Sequence, residues 1–182
     1  GADQVPDRAI KSGLIDRLGS IDTQVGGSSS RYSLSANYQS DTWNASFYAI
    51  DTDLSLFSNF TYFLDNPEAG DQFEQRDDRK IFGGELFTTL PLSVTEGSSV
   101  TLGTQWRIDD IDNVGLYRTQ NLMRLSTIRE DEIKSSSYAV FAQSNIILGD
   151  SWAMALGLRY DLLDVDVDSG LDANSGSEND GL

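Results

Sequence analysis

The chain contains no cysteine and no histidine in 182 residues, only three prolines, and 13 basic against 29 acidic side chains. Each shortage closes off a class of function. Without thiols there is neither a disulfide framework nor a thiolate metal site. Without imidazole there is no histidine general base, no histidine-based triad and none of the usual zinc or iron ligation. A net charge of −16 argues against nucleic acid as a partner, because phosphate binding needs clustered Lys and Arg. No run approaches the ~20 apolar residues of a membrane-spanning helix, and mean hydropathy is −0.34. Low hydropathy does not exclude a membrane β-barrel, in which only alternate residues meet lipid. Carboxylates are plentiful, yet they fall mainly in loops and turns and nothing positions a pair for glycoside hydrolysis. The chain therefore reads as non-enzymatic, with no cofactor implied.

What is abundant is alternation. In Ser151–Val167 the even positions Trp152, Met154, Leu156, Leu158, Tyr160 and Leu162 are apolar or aromatic, while Ser151, Ala153, Ala155, Gly157, Arg159 and Asp161 between them are small or charged. This is the period-2 signature of a strand with two unlike faces. Eleven such residues span roughly 36 Å, and tilted by about 45° they cover about 25 Å, the height of the lipid-facing band of an outer-membrane barrel. Past Leu163 the phase inverts, and Asp164, Asp166 and Asp168 occupy the formerly apolar face. Carboxylates there cannot lie in hydrocarbon, so a membrane strand would leave the bilayer at this point. An edge of a soluble β-sandwich alternates in the same way.

The same pattern recurs along the chain. Residues 31–39 place Tyr32, Leu34, Ala36 and Tyr38 on one face; residues 42–60 begin with Trp43, Ala45, Phe47 and Ala49 in phase and then slip near Ile50–Leu54, which suggests a bulge or an exit from the half-buried layer. Residues 77–89 form a weaker strand interrupted by Gly83-Gly84. Residues 99–111 alternate cleanly, and 132–148 less so. Residues 9–18 could form a short helical turn, Gly26–Ser30 a flexible joint, and 169–182 a polar tail. The expectation is an all-β, antiparallel up-and-down meander of about six long strands within 31–168. Its connections sort into short ones at 40–41, 90–98 and 149–150 and long ones at 61–75 and 112–131, with 1–30 and 169–182 on the long side. Short turns at one end and long loops at the other are the organisation of an outer-membrane barrel, with periplasmic turns and extracellular loops. Trp43, Trp152 and Tyr38 sit beside short turns, as an interfacial aromatic girdle would. Six strands cannot close a barrel and would leave two edges in lipid, so the piece should be an arc of a larger one. Beginning at Gly1 without a signal peptide and stopping in a polar stretch, it reads as cut from a longer protein.

Several stretches carry a family likeness: Tyr138-Ala-Val-Phe-Ala-Gln143, a short turn, then Trp152 and Gly157-Leu-Arg-Tyr-Asp161; Arg8–Asp16 leading to Gly26-Gly27 and Arg31-Tyr-Ser-Leu34; and Phe57–Leu64 followed by Gly70–Gln75. In order and spacing they resemble the barrel domain of TonB-dependent outer-membrane receptors of Gram-negative bacteria. The resemblance implies an arc of a barrel of about 22 strands filled by an N-terminal plug. It also implies outer-membrane lipid, plug and TonB as partners, and import of a scarce small-molecule ligand of siderophore, haem, cobalamin or carbohydrate type. The plug, the TonB box and the C-terminal strands of the family pattern are missing from this chain. A porin-like channel segment and a soluble, secreted β-sandwich binding module are the alternatives.

Candidate sites follow from placement. Gln105, Arg107, Arg159 and Asp161 lie on the polar faces of the two cleanest strands and would point into a lumen, either toward plug and substrate or pairing among themselves. Trp152, Met154, Leu156, Leu158, Tyr160 and Leu162 would face lipid. Tyr62, Phe63, Phe73 and Tyr117, with Leu122 and Met123, fall in outer loops and could touch ligand or pack the loops. Asp164, Asp166 and Asp168 invite a calcium reading, but the EF-hand pattern requires Gly where Ser169 stands and Glu where Ser175 stands; Asp109-Asp110 with Asp112 is equally weak. Asn44-Ala-Ser46 and Asn59-Phe-Thr61 are N-glycosylation patterns that carry no meaning in a bacterial outer-membrane protein.

Overall fold

The computed structural model describes residues 5–170 and 175–181. Seven strands, β1 (Gly26–Gln39), β2 (Trp43–Ser58), β3 (Phe73–Pro91), β4 (Ser99–Gln120), β5 (Met123–Ile147), β6 (Ala153–Ser169) and β7 (Gly176–Gly181), follow one short helix, α1 (Asp7–Lys11). They form one antiparallel sheet in sequence order, and β1 does not pair with β7, so the sheet is an open arc. Among the described residues no helix is long and apolar enough to cross a membrane.

Register explains why alternation matters. Cross-strand partners bring Trp43, Thr88, Leu102, Ala142 and Leu158 into one lateral row. The next row holds Tyr38, Ala45, Leu86, Thr104, Val140 and Tyr160. Because side chains alternate across the pleat, every strand presents its apolar set to the same face. Leu158 is 82% exposed and Trp152 77%; nothing among the described residues covers this face. The opposite face is the more polar one: beyond a row with Asn44, Phe87, Gly103, Phe141 and Arg159, it brings Asn37, Ser46, Glu85, Gln105, Ala139 and Asp161 into register.

Three same-face rows further from the short turns, the apolar face becomes a row of charges: Asp51, Lys80, Asp110, Lys134 and Asp166 are successive partners. Opposite charges on directly facing residues stabilise a ladder. The other face takes the apolar residues here, with Ile50 opposite Ile81 and Ile111 opposite Ile133, itself opposite Val167. The phase slip at Ile50–Leu54 is therefore a change of environment and not a bulge, since β2 pairs with both neighbours without a register shift.

The sequence expectation departs from the structure in several places. The six expected long strands are β1–β6, and among the described residues a short seventh follows them. Gly26–Ser30 is no flexible joint but the start of β1, and residues 176–181 of the polar tail form β7. Residues 112–131 are no long loop: β4 and β5 pair through them and meet in a two-residue turn at Asn121-Leu122. Polar composition concealed these strands because neither face is uniformly apolar so far from the apolar band. Register shifts at Ile111/Val114, Leu116/Tyr117 and Arg118/Thr119 also break the alternation. The hairpin thus projects about 40 Å of strand beyond the apolar rows.

Gly83-Gly84 does not weaken β3. A Cβ on Gly83 would meet the Tyr48 ring, and one on Gly84 the Trp106 ring. The aromatics lie on the bare backbone of the neighbouring strand, covering glycines that have no side chain to pack.

Candidate functional site

The longest interstrand connection, residues 59–72, folds over the end of the sheet remote from the short turns. Its shape comes from carboxylates and amides. Asp71 accepts hydrogen bonds from the backbone N–H groups of Leu64 (2.7 Å), Asp65 (3.2 Å) and Asn66 (2.7 Å). Asn66 Oδ1 in turn accepts from the Ala69 N–H at 3.0 Å. Three donors on one carboxylate hold a segment with no helix or strand of its own.

A second network ties three remote segments together. Asp22 Oδ2 accepts from Asn59 Nδ2 (2.9 Å) and Gln72 Nε2 (3.0 Å), and its Oδ1 from the Gln24 N–H (2.9 Å). Asn59 Oδ1 accepts from the Tyr62 N–H at 2.8 Å. Gln72 Oε1 accepts from the buried Thr119 hydroxyl (3.1 Å) and the Leu122 N–H (3.0 Å). Gln72 therefore joins the N-terminal segment, the 59–72 connection and the β4–β5 tip. That tip is strained: Asn121 and Leu122 have φ of 53° and 64°, the geometry of a type I′ turn, in which glycine is favoured at the second place. The bond from Leu122 to Gln72 helps hold it. Between these segments lies a cleft of about 280 Å³ lined by Asp22, Thr23, Gln24, Tyr62, Phe63, Glu68, Gln120 and Asn121, among others.

Of the four aromatic loop candidates, only Phe63 stands exposed at this cleft. Tyr62 is buried. Tyr117 belongs to β4, not to a loop, and is 1% exposed; Arg124 lies 3.6 Å over its ring, and its hydroxyl bonds with Asn113. Phe73 begins β3 and meets Phe60 edge-on, with ring centroids 5.2 Å apart. Leu122 and Met123 are exposed at the hairpin tip.

The polar-face candidates do come together. Arg159 donates to Gln105 Oε1 (2.6 Å) and to Asp161 (2.7 Å), Gln105 donates to Glu85 (2.6 Å), and Arg107 pairs with Asp109 (2.7 Å). They make two hydrogen-bonded groups on the polar face, Glu85–Gln105–Arg159–Asp161 and Arg107–Asp109, in which each arginine is paired with a carboxylate of its own strand. Asp164, Asp166 and Asp168 lie along one face of β6 opposite Ser136, Lys134 and Glu132, and Asp164 also accepts from Asn179. No group of three carboxylates placed to hold a metal occurs among the described residues.

The architecture so far is an arc of antiparallel strands with one apolar and one polar face, short turns at one end and a built loop cluster at the other. The family model for the TonB dependent receptor-like β-barrel matches residues 4–181. The chain belongs to that family. A search of curated proteins finds no match. Members of the TonB-dependent receptor family are outer-membrane proteins of Gram-negative bacteria that import ligands, not enzymes, and the family implies a plug domain, TonB and a ligand as partners.

Sequence reasoning missed the residues that shape the receptor's cleft. Asp22, Asn59 and Gln72 have partners 37 to 50 positions away, and nothing local marks them. Asp71 was within reach, since an acidic residue closing an Asn-Pro loop is a known acceptor of turn amides. Burial works to raise the pKa of Asp71, but hydrogen bonds from Thr61 and the Asp65, Asn66 and Leu64 amides outweigh it and hold the carboxyl below its ordinary range. Asp22 is likewise lowered, with burial opposed by Asn59, Gln24 and Gln72. A depressed folded-state pKa contributes stability above the unfolded value, about 4, that is lost as pH falls through the folded value. The 59–72 connection is therefore expected to open in acid while the strands stay paired. Limited proteolysis with an acid-active protease from pH 5 to 2.5 would cut first within 59–72, and the Asp71→Asn variant would be cut there even at the upper end of that range. Equal resistance of the connection at all pH values would show that these carboxylates do not hold it.

Proposed function

We propose that this chain is a wall segment of an active importer that takes up a scarce ligand of siderophore, cobalamin, haem or carbohydrate class across the outer membrane. The short turns at 40–42, 92–98 and 148–152 lie on the periplasmic side and the 59–72 connection and β4–β5 hairpin outside. The observation that carries this is the uncovered apolar face, continuous over six strands and bounded by a charged row. Such a surface is a liability in water and a requirement in lipid. Trp152, Met154, Leu156, Leu158, Tyr160 and Leu162 then face lipid, Tyr38, Trp43 and Trp152 form the periplasmic girdle, and Gln105, Arg107, Arg159 and Asp161 face the lumen, where a plug sits. The rest of the barrel closes the two sheet edges. Export of the full receptor to outer membranes, followed by gel electrophoresis with and without boiling, tests the reading. A band that resists detergent unheated and shifts on boiling is expected. A soluble protein without a shift would leave the β-sandwich module.

A further inference from the structure

We infer that the outer cleft takes a neutral, hydroxyl-rich ligand, a soluble oligosaccharide, stacked on Phe63; this rests on the receptor reading above. Three features point to that chemistry. First, among the described residues no lysine or arginine lines the cleft, whereas Asp22 and Glu68 do. An anionic ferric chelate would meet like charge and find no cation to replace its water. Arg118 lines a separate groove with Phe60, Phe73 and Leu116, and Arg124 is engaged by Glu74 (2.6 Å) and Tyr117. Second, the side chains of Thr23, Gln24, Gln120 and Asn121 have no hydrogen-bond partner among the described residues, while Asn59 and Gln72 beneath them are engaged at both oxygen and nitrogen. A ring of neutral amides and a hydroxyl both donates to and accepts from sugar hydroxyls. Third, Phe63 is 58% exposed at the cleft. It rests against Gly70, where even a Cβ would come within 3.3 Å of the ring, and Gly70 has φ +81°. One side of the ring is thus seated on backbone and the rest is presented to the cleft, a platform for the C–H face of a pyranose. The volume, about 280 Å³, falls just below the range of ligand sites, which run from roughly 300 Å³; it suits one or two sugar rings of a longer chain. Because Asp71 and Asp22 order the cleft before any ligand arrives, little ordering remains to oppose binding.

The test uses the full receptor purified from outer membranes and applied to an array of neutral, uronic-acid and sulfated oligosaccharides, with a ferric tris-catecholate as an anionic probe in calorimetry. Retention of neutral glycans is expected, with about tenfold weaker Kd for Phe63→Ala and near-normal binding for Phe63→Tyr. The inference is overturned if only acidic glycans or the tris-catecholate bind, if no glycan binds, or if Phe63→Ala binds as the parent does. The boiling shift of the same preparation is read alongside. A shifting barrel that rejects neutral glycans fails the ligand class alone, whereas a protein without the shift fails the receptor reading itself.

Discussion

Leu158→Arg is expected to destabilise the folded barrel by about 2–4 kcal/mol, the cost of a guanidinium near the bilayer midplane. Leu158 sits near the middle of the β6 stripe, in one row with Trp43, Leu102 and Ala142, and touches little of its own chain. In water the same change, at a position so exposed, would move stability by less than about 0.5 kcal/mol. The two environments therefore predict effects several-fold apart for one substitution. Ala155→Arg is the control, on the opposite face of the same strand and opposite Asn145; a cation is expected to be tolerated there. Urea titration of the receptor folded into lipid vesicles reads both. A neutral Leu158→Arg with a costly Ala155→Arg would reverse the assignment of faces, and two neutral variants would remove the membrane from the account.

Gln72→Ala is expected to loosen the outer cleft without unfolding the wall. The substitution strips the acceptor from the Thr119 hydroxyl and the Leu122 N–H and a donor from Asp22. Each unsatisfied buried group costs about 1–3 kcal/mol, and water entering the open cleft recovers part of it, which leaves about 2–4 kcal/mol. Hydrogen exchange of the Leu122 amide should accelerate by about two orders of magnitude, since 1.4 kcal/mol is a factor of ten. Tyr62, held through Asn59, should follow, while amides in 100–108 and 138–144 keep their protection, being paired on both sides. Gln72→Glu keeps an acceptor but sets a second carboxylate beside Asp22, so it should rescue only in acid. Unchanged exchange at Leu122 would mean the tip is held by β4–β5 pairing alone, despite its φ of 64°.

The same residues show where sequence reading reaches and where it stops. Trp152 to Leu162 could be placed on one face because period-2 patterning needs nothing beyond the residues themselves. The short turns were readable at Ser40-Asp41 and Gly149-Asp150, where the local chemistry is sufficient: Ser40 Oγ accepts from the Trp43 N–H at 2.9 Å, and Gly149 takes φ +83°. The β4–β5 tip was not readable, because Asn121 is followed by leucine where such turns favour glycine, and because the bulges below it scramble the alternation. Tyr117 looked like a loop aromatic for the same reason, and it is buried in β4.

The sequence by itself determined the class: an all-β chain with a two-faced wall, without thiol or imidazole chemistry, and with family motifs spaced along most of its length. Those properties depend on composition and on periodicity within one strand. Only the tertiary structure decided that 112–131 is paired strand, that the charged residues above the apolar band align as Asp51, Lys80, Asp110, Lys134 and Asp166, and that Asp22, Asn59, Gln72 and Thr119 meet. Each depends on register between strands or on hydrogen bonds across tens of residues, and such bonds form only after the chain has brought the partners together.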